Sequence, residues 1–183
     1  MRQRKIKNTK LDPHRKQSLD ERNKVAMEKQ PELAQLEARL LGIEGEAVVL
    51  RSEPDLEKIL SRGEVRNGKG ARIGKGMPNG CHENSAAYYD EHRGEVSIMT
   101  GFALSNDGIW RQHSWLIENK IEQIIETTVC RSLYYGFKMT DDEAEGFVLN
   151  QFLPHSADRL SQYSIEYAIA LAEGKSLQSM RAA

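Results

Sequence analysis

"WRQHSWLIENKIEQIIETT", residues 110–128, is the stretch whose reading decides the fold. Two runs rich in Ile, Trp and Thr flank Asn119-Lys120. Strand formers on either side of an Asn, which tolerates left-handed backbone, read as an antiparallel hairpin. With Glu118 and Ile121 paired across a two-residue turn, His113 falls directly opposite Glu126 on the same face. A carboxylate beside an imidazole fixes its tautomer and stabilises the imidazolium. A register slipped by one would bring Ile125 or Thr127 opposite His113 instead.

Upstream, "NGCHENSAAYYDEH" (79–92) opens a helix over 81–91 whose first residue is Cys81. Strands are expected over 95–104, 109–118 and 121–127, with a short one near "YYGFKM". The next helix, "DDEAEGFVLNQFL", is capped by Thr140 with Glu143 three residues on, and a last one runs from about Ser156 to Glu173. Before Cys81, Ser18 and Glu21 have capping-box spacing, so a helix is expected from Ser18, broken at Pro31. Leu33, Leu36, Leu40 and Leu41 then share a stripe that Gly42 stops. A short strand is read at 46–51, and a helix follows with Pro54 near its start and Gly63 past its end. Between Gly63 and Gly80, six of eighteen residues are glycine, a density that argues against regular structure. The order predicts one α+β domain: a helix packed on an antiparallel sheet, with flanking helices.

The chain of 183 residues carries a net charge of −1, but the charge is uneven. Residues 1–16 hold seven Lys/Arg against Asp12 alone, a net +6 that leaves −7 on the remainder. Residues 1–17 therefore read as a flexible basic arm, able to touch an acidic partner or nucleic acid, and 18–183 as the single domain. No apolar run reaches the ~18 residues of a membrane span, and no apolar stretch follows the basic residues at the start to make a signal peptide, so a cytoplasmic, membrane-free protein is expected. Two cysteines form no disulfide framework and suit a reducing compartment. Cys130 is expected to be a buried structural residue.

Cys81 by itself could be a small buried hydrophobe, a metal ligand or a nucleophile. Cys81, His82, Glu83 and His92 do not make a metal site, because adjacent Cys and His cannot easily ligate one ion. Neither a metal nor another cofactor is expected. At a helix N-terminus the dipole and amides favour thiolate, and a nearby imidazolium lowers the thiol pKa further. The Cys81 amide would face the oxyanion of a tetrahedral intermediate, with Gly80 allowing close approach. Cysteine on a helix, histidine on a strand and a carboxylate one strand later form a nucleophile, base and orienter. Asn79, His82 and Asn84 are candidates to line the site, and Trp110 and Trp115 to form core or pocket wall.

Cys81, "VSIMTGFALS", "HSWLIE" and "IIETT" together resemble the transglutaminase-like branch of the papain-like cysteine enzymes. The resemblance covers residues 79–128, with Gly101-Phe102 as that family's Gly-aromatic pair. It implies Cys81 as nucleophile, His113 as general base and Glu126 in the position usually held by Asp. Glu is one methylene longer, and His82 stands where the family has a small residue. Asn79 is the upstream candidate for a second oxyanion donor. The implied substrate is a protein or peptide amide, with hydrolysis, deamidation and cross-linking all open. A non-catalytic domain binding nucleic acid or protein through its basic arm and loop is the alternative. The loop 63–80, with Arg62, Arg66, Lys69, Arg72 and Lys75 in or beside it, lacks Walker spacing and reads as a mobile flap or basic surface.

Overall fold

The computed structural model describes residues 11–74 and 76–152. The expected helix at 156–173 lies outside the described residues, as do the first ten residues of the expected arm. The chain divides into two compact units. Of the described residues, the first takes those up to Gly70 with Thr100–Ser114 and Val129–Lys138. The second takes those from Ala71 to Met99, Trp115–Thr128 and those from Met139 onward. Strands β4 (Val96–Leu104) and β5 (Ile109–Glu118) contribute to both.

In the first unit, α1 spans Pro13–Lys29, five residues ahead of the expected start at Ser18. Asp12 supplies the cap, its side chain accepting from the His14 amide at 2.8 Å, and Pro13 is preset for the first helical position. The arm therefore gives up residues 13–17 to a helix. Buried Asn23 donates to the Val48 carbonyl at 2.8 Å and accepts from the Leu50 amide at 3.0 Å, which docks α1 on the chain that follows α2. Helix α2 (Leu33–Ile43) buries Leu33, Leu36 and Leu40 completely, while Leu41 is exposed. Gly42 does not end α2: it lies inside the helix, and the chain turns at Gly45, where φ is +98°. Strand β1 is only Ala47–Val48 and pairs parallel with the start of β5. Helix α3 (Leu56–Arg62) leads into β2 (Glu64–Asn67), antiparallel to β7 (Leu133–Lys138).

Within this unit Gly101 is a packing requirement. A Cβ there would lie 2.3 Å from the Tyr135 carbonyl oxygen and 2.5 Å from Gly136 Cα, so only glycine lets β7 approach β4 so closely. Phe102 beside it is fully buried.

The second unit holds β3 (Arg72–Ile73), α4 (Cys81–Glu91), β6 (Gln123–Glu126) and α5 (Asp141–Phe152). The α5 cap is the expected box: the Thr140 amide donates to Glu143 at 2.8 Å, and the Glu143 amide to Thr140 Oγ1 at 3.3 Å. Arg93 ties the end of α4 to α5, bonding Asp90 at 2.8 Å and Glu145 at 3.1 Å. These two carboxylates hold the guanidinium pKa above its ordinary value, against the opposing effect of burial.

The strands hydrogen-bond in the order β2-β7-β4-β5-β6-β3, with β1 on β5. The α+β class holds, but the sheet is mixed rather than antiparallel, because β1 and β3 both pair parallel. The glycine-rich run is not devoid of regular structure either, since β2 and β3 form within it. No helix among the described residues is long and apolar enough to cross a membrane.

Candidate functional site

In the second unit, Cys81 is the first residue of α4, half-buried, with Gly80 as a cap residue that offers no side chain. The approach to it is a tight turn, Met77-Pro78-Asn79-Gly80, closed by the Gly80 amide on the Met77 carbonyl at 3.3 Å. Pro78 occupies the second position, and Asn79 the third at φ +63°, the pattern of a type II turn. Asn79 is exposed, and its left-handed backbone shapes the lead into the helix. His82 meets Phe147 of α5 edge-on, with ring centroids 6.1 Å apart.

Glu126 ends β6 and is fully buried. Its Oε1 accepts from the Thr128 amide and from Thr128 Oγ1, each at 2.8 Å. Its main-chain carbonyl accepts from the Gly74 amide at 2.7 Å. Two hydrogen bonds from one threonine restrict the orientation of the carboxyl group. That is the physical content of the Glu-x-Thr spacing in "ETT".

The hairpin register differs from the expected one. Glu118 pairs with Gln123, Ile117 with Ile124 and Leu116 with Ile125. The turn spans Asn119–Glu122 and is closed by the Glu122 amide on the Glu118 carbonyl at 2.9 Å. Glu122, not Asn119, takes the left-handed conformation, at φ +53°. One step along the same ladder sets Trp115, rather than His113, opposite Glu126. Because the shift is two residues, it leaves the alternation of side chains along β5 unchanged. Trp115 is fully buried.

In the first unit, His113 is 3% exposed, its ring tilted against Tyr134 at 6.1 Å between centroids. Buried Ser114 and Thr100 share a hydrogen bond of 3.0 Å beside it on β5 and β4. Gln112 donates to Glu53 Oε2 at 2.7 Å. Trp110 is core: it is fully buried and donates to the Glu44 carbonyl at 2.6 Å. A groove of about 610 Å³ in this unit, bordered by Gln30, Gln35, Arg39 and Glu57, contains none of the nominated residues.

Other expectations change. Cys130 is exposed, because it lies in the irregular segment between β6 and β7 beside exposed Val129. Arg66 in the run 63–80 pairs with Glu64 at 2.6 Å and Arg72 with Glu118 at 3.5 Å, while Arg62 just before it donates to the Lys138 carbonyl at 2.7 Å. Asn84 does not extend toward a ligand. Its amide oxygen accepts from the Met77 amide at 2.9 Å, and its Nδ2 donates to the Met77 carbonyl at 2.8 Å. Sequence reasoning missed this, although an Asn one turn after a Pro-Asn-Gly turn was a usable signal. It also missed Thr128. Ser85 and Thr127 are buried, and neither hydroxyl has a hydrogen-bond partner among the described residues. Comparison with protein-family models, curated proteins and solved structures finds no match.

Proposed function

We propose that this chain is a cysteine-dependent acyl-transfer enzyme of papain-like, transglutaminase-like character, acting on amides of a protein or peptide through a thioester on Cys81. One observation carries the reading most: Cys81 is the half-buried first residue of an eleven-residue helix whose cap residue is glycine. There the helix dipole favours thiolate over thiol. Glu126, a carboxylate fully buried and locked by Thr128, supports it as the orienting group.

In this reading a general base takes the Cys81 thiol proton, and the sulfur attacks the amide carbonyl carbon. The Cys81 main-chain amide donates to the resulting oxyanion. The protonated base returns the proton to the departing nitrogen as the C–N bond breaks. Water or an amine then attacks the thioester, which divides hydrolysis and deamidation from cross-linking. Nucleophilic thiol chemistry suits a reducing, cytoplasmic setting.

The test is iodoacetamide labelling of the full chain across pH, with mass mapping of the two thiols. Cys130, exposed in irregular chain, is the internal reference. Cys81 is expected to react at about pH 6, where an unperturbed thiol of pKa ~8.5 is almost wholly protonated. Glu126→Gln should slow that reaction, with the fold retained. Coincident profiles for Cys81 and Cys130 would overturn the proposal.

A further inference from the structure

We infer that Asn84 is a positioning residue that presents Cys81, in a clamp completed by Gly76; this rests on the reading of Cys81 as a nucleophile. An ordinary helix start is held by a cap side chain that reaches forward to the amides of the first turn. Gly80 cannot do this. Asn84, in the first turn of α4, reaches backward instead, and both ends of its amide close on Met77, at 2.9 and 2.8 Å. The Met77–Gly80 turn is therefore bracketed between its own hydrogen bond and the Asn84 side chain, with Cys81 immediately after it.

The clamp also touches the chain that follows Glu126. Asn84 Nδ2 lies 3.4 Å from the Thr127 carbonyl oxygen. Gly76 fits the space between them: a Cβ there would come within 2.4 Å of that oxygen and 2.5 Å of Asn84 Nδ2. The Gly74 amide bonds the Glu126 carbonyl, and β3 pairs with β6 at Arg72↔Ile125 and Ile73↔Glu126. The segment before the turn is thus laid along the carboxylate-bearing strand, and Asn84 pins its far end to the helix that carries the thiol. Releasing Asn84 frees the turn and lets the helix start fray, which weakens the dipole at the sulfur.

Asn84→Ala and Gly76→Ala perturb the clamp from opposite sides, and Gly42→Ala, inside α2 with nothing within 4 Å of the added methyl, is the control. Each full-length variant is first shown to be folded by circular dichroism. Two readouts follow: hydrogen exchange of the peptide containing Met77, and the pH profile of Cys81 alkylation with Cys130 as reference. Both clamp variants are expected to speed exchange at Met77 and to slow Cys81 alkylation at about pH 6 by about 2- to 5-fold, the range a helix-terminus dipole supplies. The Cys130 profile and the Gly42→Ala variant should stay at wild-type values. Unchanged exchange would overturn the clamp. Faster exchange with an unchanged Cys81 profile, in a protein whose wild-type Cys81 is reactive in acid, would overturn the positioning role alone. An ordinary wild-type Cys81 profile would overturn the nucleophile reading and the positioning role with it.

Discussion

Thr127 and Thr128 are adjacent, chemically identical, and placed in opposite hydrogen-bonding circumstances, so replacing each with valine tests the architecture around Glu126. Val is nearly isosteric with Thr, and both share the β-branched preference for extended backbone, so the hydroxyl is the main variable. Thr128 Oγ1 donates to Glu126 Oε1 at 2.8 Å, and that carboxylate is fully buried. An intramolecular hydrogen bond contributes about 0.5–1.5 kcal/mol net, and its loss leaves a buried carboxyl group with one donor fewer. At about 2–4 °C per kcal/mol for a chain of this size, Thr128→Val should lower the melting temperature by roughly 1–6 °C. Thr127 Oγ1, by contrast, is buried with no hydrogen-bond partner among the described residues. Burying an unpaired hydroxyl costs about 1–3 kcal/mol by mutational measures, so Thr127→Val should leave the melting temperature unchanged or raise it. Thermal and urea denaturation of both variants, followed by circular dichroism, give the comparison. Equal losses for the two, or a larger loss for Thr127→Val, would refute the assignment of Thr128 as the residue that holds the carboxylate.

Gly101→Ala should destabilise by at least about 1–3 kcal/mol, because the new methyl meets the backbone of Tyr135 and Gly136 rather than a movable side chain; a urea midpoint equal to wild type would contradict the close approach of β4 and β7. Asp107 gives a pH-dependent prediction: Arg111 holds its carboxyl below the ordinary 3.8, with Arg15 assisting. A carboxylate with a depressed folded-state pKa contributes stability that is present above its unfolded pKa and lost as pH falls through the folded one. Wild type should therefore exceed Asp107→Asn in stability above about pH 5, by a modest amount since the group is partly exposed, with the gap closing below about pH 4. A gap independent of pH would contradict the ion-pair origin.

What could be read in advance divides by the range of the interactions involved. Helices α4 and α5 were legible because their signals are local: a glycine before Cys81, and a Thr140–Glu143 box now seen as two hydrogen bonds. Strands β4 and β5 announced themselves by composition. The start of α1 was misplaced because Asp12-Pro13 and Ser18 both offer helix-start chemistry, and only the structure shows which hydroxyl or carboxylate meets an amide. Strands β2 and β3 were invisible for a different reason. Their partners are β7 and β6, far along the chain, and runs of four and two residues are too short for alternation to mark a strand. The register of the β5–β6 hairpin fell to the same difficulty on a smaller scale. A four-residue turn with Glu122 left-handed carries no glycine to mark it, whereas Asn119-Lys120 looked like a complete two-residue turn.

The same division explains why residues could be nominated while their surroundings had to be discovered. The chemical identity of a thiol, an imidazole or a carboxylate is written in one letter each, so Cys81, His113 and Glu126 could be singled out at once. What makes such a group useful is the number of bonds that remove its freedom, and these come from residues with no chemistry to advertise. Glu126 is fixed by Thr128, and the turn before Cys81 by Asn84, in both cases through donors or acceptors within 3 Å. A side chain held by two bonds at that distance loses most of its rotamer choice, whereas one held by a single bond keeps part of it. Around Cys81 and Glu126, then, the ordering of the second unit rests on two polar side chains and on Gly76, whose lack of a Cβ lets Asn84 and the Thr127 carbonyl come together.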